Sequence, residues 1–373
     1  MFNDKTFRNR PTYVEISLSN LRENYHIIKN IVKPSKILGV VKANAYGHGL
    51  VEISKELEKL NVDYLGTAYI EEAIYLRKHN IKKPILVLGA VNDNQIPLYL
   101  KYDIDITGSS IDKIENISKI ATKLNKTARV HLKIDTGMGR IGVQWDRKKE
   151  FIDKTYNLKN INIVGIFSHF SNSFSDKEYT KSQIKRFNSV LRYIKKNYTL
   201  PSIIHLANTG AIFNNYKDSF YDMVRPGLSL YGYGLNSKTQ KLLKPVMKFY
   251  TEVSYFKVLE ENSQVGYNRT YTTKDLNRIV TLPVGYADGY PFPLSNKGHV
   301  YINGKTYSVI GNVCMDQIMI NLKRNGEAYV GDRVELWGDN ISLHNLSKLS
   351  KIPIGNILTG VSERVPRVYT RNN

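Results

Sequence analysis

The sequence predicts an α/β chain: an N-terminal (β/α)8 TIM-type barrel followed by a mostly antiparallel C-terminal β domain. Three observations carry this. From residue 12 to 235 short apolar runs alternate with helical periodicity in units of roughly 25 to 30 residues, and about eight such units fit. Beyond residue 235 the pattern changes to strand-like runs around Asn303-Gly304, the strongest short hairpin signal. The 373 residues exceed one typical domain. The expected domains are 12–235 for a cofactor-binding barrel and 236–373 for the β domain, with residues 1–11 joining the latter.

The elements follow in order. Leu21, Tyr25, Ile28 and Val32 lie at helical spacing, and 37–41, 64–68 and 85–88 read as buried parallel strands. Ile111, Ile114 and Ile117 mark a helix, 130–134 and 161–167 two more strands, and Ile184, Phe187, Leu191 and Ile194 a long amphipathic helix. Runs 203–206 and 228–231 are the last strands expected in this half. In the second half 249–258 is strand-like, 299–310 forms two strands around Asn303-Gly304, and Gly331-Asp332 opens a strand over 334–337. There only 343–349 has helical spacing.

Composition narrows the function classes. Hydrophobic residues are 42% and charged residues 23%, an ordinary globular balance. No apolar run approaches the roughly 20 residues of a membrane span. The start, Met1 to Arg10, has charges but no apolar stretch behind them, so no secretory signal is expected. Cys314 is the sole cysteine, which excludes an intramolecular disulfide or a Cys-rich zinc site and fits a reducing, cytoplasmic compartment. A net charge of +21 would ordinarily prompt a search for nucleic-acid binding. The lysines are dispersed, however, and the aromatics interleave with strands instead of Arg/Gly tracts, so neither a nucleic acid nor a membrane is an expected partner. The charge would still attract anionic substrates.

The chemistry concentrates in Val40-Val41-Lys42-Ala43-Asn44-Ala45-Tyr46-Gly47-His48-Gly49. Lys42 follows an apolar strand and precedes a glycine-bearing turn. At that edge of a barrel a lysine partly removed from water loses proton affinity and can act as an amine nucleophile. Two further segments set cations among apolar residues: Arg225 in Met223-Val224-Arg225-Pro226-Gly227, and Lys133 and Arg140 in Val130 to Arg140. Burying charge is costly, so these three should meet anions, ligand atoms or a modified group.

Together with Ser168-His169-Phe170, His205-Leu206-Ala207-Asn208-Thr209, Val265-Gly266-Tyr267-Asn268, Pro283-Val284-Gly285-Tyr286-Ala287-Asp288-Gly289 and Cys314-Met315-Asp316-Gln317, these motifs closely resemble the alanine racemase family. They run in family order through to Arg364-Val365-Pro366-Arg367. The resemblance implies a pyridoxal 5′-phosphate enzyme that interconverts L- and D-alanine, supplies D-alanine for peptidoglycan and works as a head-to-tail homodimer with shared active sites. It implies no metal.

By the same resemblance, Lys42 forms the Schiff base with the cofactor and serves as one acid/base, and Tyr267 from the second subunit is the other. His169 joins this network. Tyr46, Asn208, Thr209 and the backbone at Gly227 and Leu228 belong to the cofactor site, with hydroxyl and N–H donors for its phosphate. Arg225 contacts the pyridine nitrogen, and a guanidinium protonated to about pH 12 donates there without yielding its proton. Arg140 and the backbone at Met315 hold the substrate carboxylate, with Tyr286 and Asp316 also at the substrate. Lys133 matches a lysine that is often carbamylated in the family.

Three departures stand out. Glu363 occupies the place of a phosphate-binding tyrosine, and an ionised carboxylate cannot donate there. Phe174 and Asn312 replace an Asp/Arg pair at the entrance, predicting a less polar gate with Asp176 as a stand-in for the acid. A changed pocket leaves a broader racemase, acting on serine as well, as the alternative. A non-catalytic cofactor-binding barrel is disfavoured by the β domain.

Overall fold

The computed structural model describes residues 10–234 and 236–371. The chain divides into two compact units. One comprises Asn20–Ala45 and Leu50–Lys244; the other comprises the described residues up to Ser19, Tyr46–Gly49 and those from Pro245 onward.

Among the described residues the strands before Pro245 are β1 (Tyr13–Ser17), β2 (Lys36–Val40), β3 (Tyr64–Thr67), β4 (Ile85–Val87), β5 (Ile106–Gly108), β6 (Ala128–Asp135), β7 (Val143–Gln144), β8 (Ile161–Phe167), β9 (Ile203–Asn208) and β10 (Met223–Arg225). Eight of them form a parallel sheet in the order β4-β3-β2-β10-β9-β8-β6-β5, with β7 beside β6. A parallel bridge from Leu86 to Asp105 brings the two ends together, so the barrel is nearly closed. Its strands are short and buried along most of their length, as expected when helices cover a parallel sheet. The helix Leu18–Val32 buries Leu21, Tyr25, Ile28 and Val32, the stripe read from the sequence.

Three details differ from the sequence reading. The last barrel strand is β10, whereas the expected 228–231 run forms tight turns such as Leu230 N–H to Gly227 O at 2.9 Å. Pro226 lacks the N–H needed to continue the ladder, and the following apolar residues are buried without being a strand. The three-residue β5 was not anticipated because it is too short for periodicity to register. Finally, β1 lies within the expected barrel range but pairs in the sheet of the other unit.

That unit also contains β11 (Met247–Glu252), β12 (Tyr255–Leu259), β13 (Gln264–Val265), β14 (Tyr271–Thr272), β15 (Asn277–Leu282), β16 (His299–Ile302), β17 (Lys305–Ile310), β18 (Ile318–Lys323), β19 (Arg333–Trp337) and β20 (Arg367–Thr370). Nine strands form one sheet, β12-β15-β18-β17-β16-β19-β11-β1-β20, antiparallel except where β1 meets β20. Asn303 and Gly304 turn the β16–β17 hairpin with φ of 46° and 83°, the positive pair that a two-residue turn requires. A second helix, Ile354–Gly360, follows the expected one, now Leu343–Ser350. Its glycines and its Pro353 start concealed it from a periodicity reading. Of the expected N-terminal segment, residues 1–9 lie outside the described residues. Arg10 donates to Asp288 Oδ1 at 2.6 Å and to Arg364 O at 2.9 Å.

Candidate active site

Lys42 immediately follows Val41 after β2 and is half-buried. The backbone beyond it winds left-handed: Ala43, Asn44, Ala45 and Tyr46 have φ between 52° and 54°. Each such L-residue costs about 1–2 kcal/mol, so this turn persists only because its surroundings hold it. One Glu72 oxygen accepts Ala43 N–H at 2.6 Å and the other accepts Ala68 N–H at 2.8 Å. Asn44 Oδ1 accepts Leu50 N–H at 2.7 Å, and Ala45 N–H reaches Val41 O at 2.8 Å.

Four further basic groups act on the same place from the ends of other strands. Lys133 lies near the end of β6, Arg140 on the turn after it, His169 beyond β8 and Arg225 at the end of β10. The Asp135 carboxylate gathers the N–H groups of Gly137, Met138 and Gly139 at 2.8 to 3.2 Å, shaping the turn that leads to Arg140. Lys133 Nζ is buried, with Ile134 O at 3.2 Å and the Phe167 ring centroid at 5.0 Å. Burial first, then the Arg225 charge, pushes its pKa down to about 7. Arg225 is buried as well and donates to His205 Nδ1 at 2.9 Å, Ser168 O at 2.6 Å and Leu206 O at 3.0 Å.

Burial and the Arg140 charge draw Arg225 down to about 9, below the sequence expectation of about pH 12. Its three acceptors favour the protonated guanidinium, which remains the form at neutral pH. Lys42 is lowered by burial and by Arg140, against an opposing pull from Glu72. Burial and the surrounding cations Arg225, Lys133, Arg140 and Lys42 hold the His169 imidazole neutral. The carboxylate charges that act on Lys133 and Lys42 are those of Asp135 and Glu72, and both already accept from backbone N–H groups. The arrangement calls for an anionic ligand.

A donor set stands at the ends of β9 and β10. Thr209 Oγ1 accepts Gly227 N–H at 3.2 Å and lies 3.1 Å from Ser229 Oγ. Hydroxyls and turn N–H groups of this kind suit a phosphate. Asn208 also has a structural task, since its side-chain oxygen caps the helix Thr209–Phe213 through Ala211 N–H at 3.1 Å and accepts from Ser173 Oγ at 2.6 Å. That oxygen shapes this corner. The Tyr46 phenol is pushed up to about 12 by burial and so keeps its proton as a donor.

Tyr267, Tyr286, Met315 and Asp316 belong to the other unit. Tyr286 N–H donates to Cys314 O and Ala287 N–H to Met315 O, both at 3.0 Å, so the two loops are zipped together. A Cβ on Gly285 would come within 2.2 Å of Met315 O, which explains that glycine. Tyr267 begins a turn after Gly266 (φ 76°), whose base rests on Val265 packed with Ile279 and Ile310. Its side chain is 72% exposed, and Tyr286, Phe292 and Met315 are exposed too.

The sequence matches the alanine racemase N-terminal domain over residues 16–234 and the alanine racemase C-terminal domain over residues 246–369. The chain belongs to the alanine racemase family. It is 39% identical over 370 residues to alanine racemase 2 of Caldanaerobacter subterraneus subsp. tengcongensis, covering 96% of this chain and 95% of that protein. The structure is similar to alanine racemase from Clostridium difficile (TM-score 0.91, 37% identity, 97% of this chain and 96% of that one). It is also similar to the Bartonella henselae alanine racemase with covalently bound pyridoxal phosphate (TM-score 0.88, 29% identity, 96% and 99% covered).

Within this alanine racemase framework the sequence departures find their places. Asp176 caps the helix Lys177–Asn197 through Tyr179 N–H at 2.9 Å, which fixes one of its carboxylate oxygens at the start of that helix. Phe174 is exposed; Asn312 accepts from Thr270 Oγ1 and donates to Tyr267 O, both at 3.2 Å. The Glu363 charge acts on Arg367, whose guanidinium donates to four backbone carbonyls, at Gly47, Val361, Ser362 and Val365. Sequence reasoning missed Glu72, Ser229, His131 and Asp105. Ser229 lies two residues beyond the Met223–Gly227 segment, and His131 was visible inside an apolar strand; Glu72 and Asp105 carried no local signal.

Proposed function

We propose that this family member interconverts L- and D-alanine with pyridoxal 5′-phosphate, using Lys42 and Tyr267 as proton carriers on opposite faces of the substrate's α-carbon. The observation that carries the reading is a partly desolvated lysine at a strand end among four other basic groups, with the Glu72 and Asp135 carboxylates that oppose Lys42 and Lys133 already engaged by backbone N–H groups. Such a donor set fits the cofactor: Thr209, Ser229, Tyr46 and the turn N–H of Leu228 suit its phosphate, Arg225 its ring nitrogen and Lys42 its aldehyde, with the Gly227 N–H orienting the Thr209 hydroxyl. When bound, the cofactor supplies an electron sink that acidifies the α-carbon of the attached amino acid.

The chain's own residues do the rest. Lys42 Nζ, lowered by burial, holds or releases a proton on one face. Tyr267 Oη does so on the other, contributed by a second copy of the chain in a homodimer; the exposure of this large side chain, 72%, supports a covering partner. Arg140 holds the substrate carboxylate, with Met315, Tyr286 and Asp316 bordering the substrate. The neutral His169 ring offers an acceptor within the cation cluster.

The test is direct. Cofactor-loaded protein given L-alanine should form D-alanine, with L-serine turned over more slowly; a chiral assay without D-alanine would overturn the reading, and equal rates would make the enzyme a broader racemase. A cytoplasmic location is proposed on the lone cysteine, Cys314, which is free. Cell fractionation checks it.

Lys133 is the carbamylated residue in this reading. With its pKa near 7, much of the amine is unprotonated at neutral pH, and that is the form that adds carbon dioxide. The carbamate would turn a buried cation into an anion that pairs with Arg140. Protein equilibrated with 13C-bicarbonate should show one carbamate carbon signal that Lys133→Ala removes; a wild-type spectrum without it would refute the modification.

A further inference from the structure

Strand alternation puts Arg129, His131 and Lys133 of β6 on one face. Barrel interiors are ordinarily filled by branched aliphatic side chains. Here a buried polar chain crosses between strands instead. Arg225 Nη1 lies 2.9 Å from His205 Nδ1, His205 Nε2 lies 3.0 Å from His131 Nδ1, and His131 Nε2 lies 3.1 Å from Asp105 Oδ2. Beyond it, Arg129 Nε donates to Asp105 Oδ1 at 2.6 Å, and Tyr64 Oη donates to Asp105 Oδ2 at 3.2 Å. Both imidazoles and Asp105 are buried. The absent side chain of Gly165 makes the room, since a Cβ there would sit 2.3 Å from His131 Nδ1.

The direction of this chain is forced from both ends. A guanidinium can only donate and a carboxylate can only accept. His205 Nδ1 must therefore accept from Arg225, leaving its proton on Nε2 to donate to His131 Nδ1. His131 in turn carries its proton on Nε2 and donates to Asp105. A second proton on either ring would set two N–H groups against each other. The surroundings agree: burial and the Arg225 charge keep His205 from protonating. At the far end, burial works against ionisation of Asp105, but hydrogen bonds from His131 and Arg129 hold it below the usual carboxylate range.

We infer that Asp105, His131 and His205 are positioning residues, a relay that locks both imidazoles as neutral Nε2–H tautomers and fixes the Arg225 guanidinium. The catalytic consequence rests on the racemase reading, in which Arg225 meets the cofactor's ring nitrogen; the tautomer statement does not. The relay gives Arg225 a fixed acceptor and, three groups away, a buried anion. Arg225 is thereby held as a donor despite burial that opposes its charge.

The experiment begins with the holoenzyme labelled with 15N-histidine. Long-range proton–nitrogen correlation should show His131 and His205 as neutral Nε2–H tautomers at neutral pH, and any other form at either ring overturns the relay. His131→Phe keeps a ring but removes both hydrogen bonds. It should change the His205 tautomer and lower kcat about 10- to 100-fold, the effect of misplacing a site group, with KM for alanine within about twofold. His131→Gln, which can accept with Oε1 and donate with Nε2, should restore most of kcat. A wild-type kcat in His131→Phe, or no rescue by a folded His131→Gln, overturns the positioning role. Should His131→Phe not fold, Asp105→Asn takes its place: the amide oxygen still accepts from His131 but brings no charge, and an unchanged kcat refutes the need for the buried anion. Absence of D-alanine from wild type with the tautomers as stated would sink the racemase reading while leaving the relay intact.

Discussion

Lys42→Ala should lower alanine racemisation by a factor of about 10³ or more, because one change removes both the amine that receives the cofactor and the proton carrier on one face. Lys42→Arg should fare no better. A guanidinium stays protonated and neither attacks a carbonyl nor accepts a proton near neutral pH. Wild type should show the corresponding pH dependence. Burial and Arg140 lower the Lys42 pKa, so its neutral form is present above that depressed value and is lost as pH falls through it. The acid limb of kcat/KM should therefore lie below the ordinary lysine range, read from steady-state rates across pH. Thermal melting of the variants should match wild type within a few degrees. Activity above about a tenth of wild type in a folded Lys42→Ala would remove the lysine from the mechanism.

Tyr267→Phe should cost about 10²- to 10³-fold, the range for losing a general acid–base group, while leaving folding intact because the side chain is exposed in the single chain. Mixing makes this a test of geometry. If each site takes Lys42 from one subunit and Tyr267 from the other, a hybrid of Lys42→Ala with Tyr267→Phe has one site with both residues and one with neither. Random exchange of equal amounts would recover roughly a quarter of wild-type activity, half of the dimers being hybrids with one good site of two. No recovery after verified subunit exchange would place both bases in the same chain. Full activity of a chain held as a monomer would refute the shared site outright.

Different parts of the molecule were legible to different degrees. Lys42 announced itself because a strand, a lysine and a glycine turn are contiguous, and the structure adds that the turn is left-handed and held by Glu72. Arg225, Lys133 and Arg140 were legible as cations without local partners, and all three act on one place in the barrel. Asp105 was not, being an ordinary acid before a three-residue strand; only the neighbouring β6 shows that it receives two basic side chains. Asn208 has a second task that its motif did not show. It stands beside Thr209 in the same motif, yet its oxygen is used as a helix cap. Asp176 likewise caps its own helix, a role read only once Tyr179 N–H is seen to meet it.

What the sequence determined by itself was whatever depends on near neighbours along the chain: the apolar strand runs, the helix stripe of Leu21 to Val32, the Asn303-Gly304 hairpin and the lysine at a strand end. These rest on backbone preferences and on periods of 2 and 3.6 residues. Tertiary structure decided which strand joins which sheet and which polar groups find partners. β1 pairs with β11 and β20, and Asp105, His131, His205 and Arg225 meet from four separate segments. Hydrogen-bond direction and burial exist only once distant segments are brought within about 3 Å, and no local pattern records that meeting.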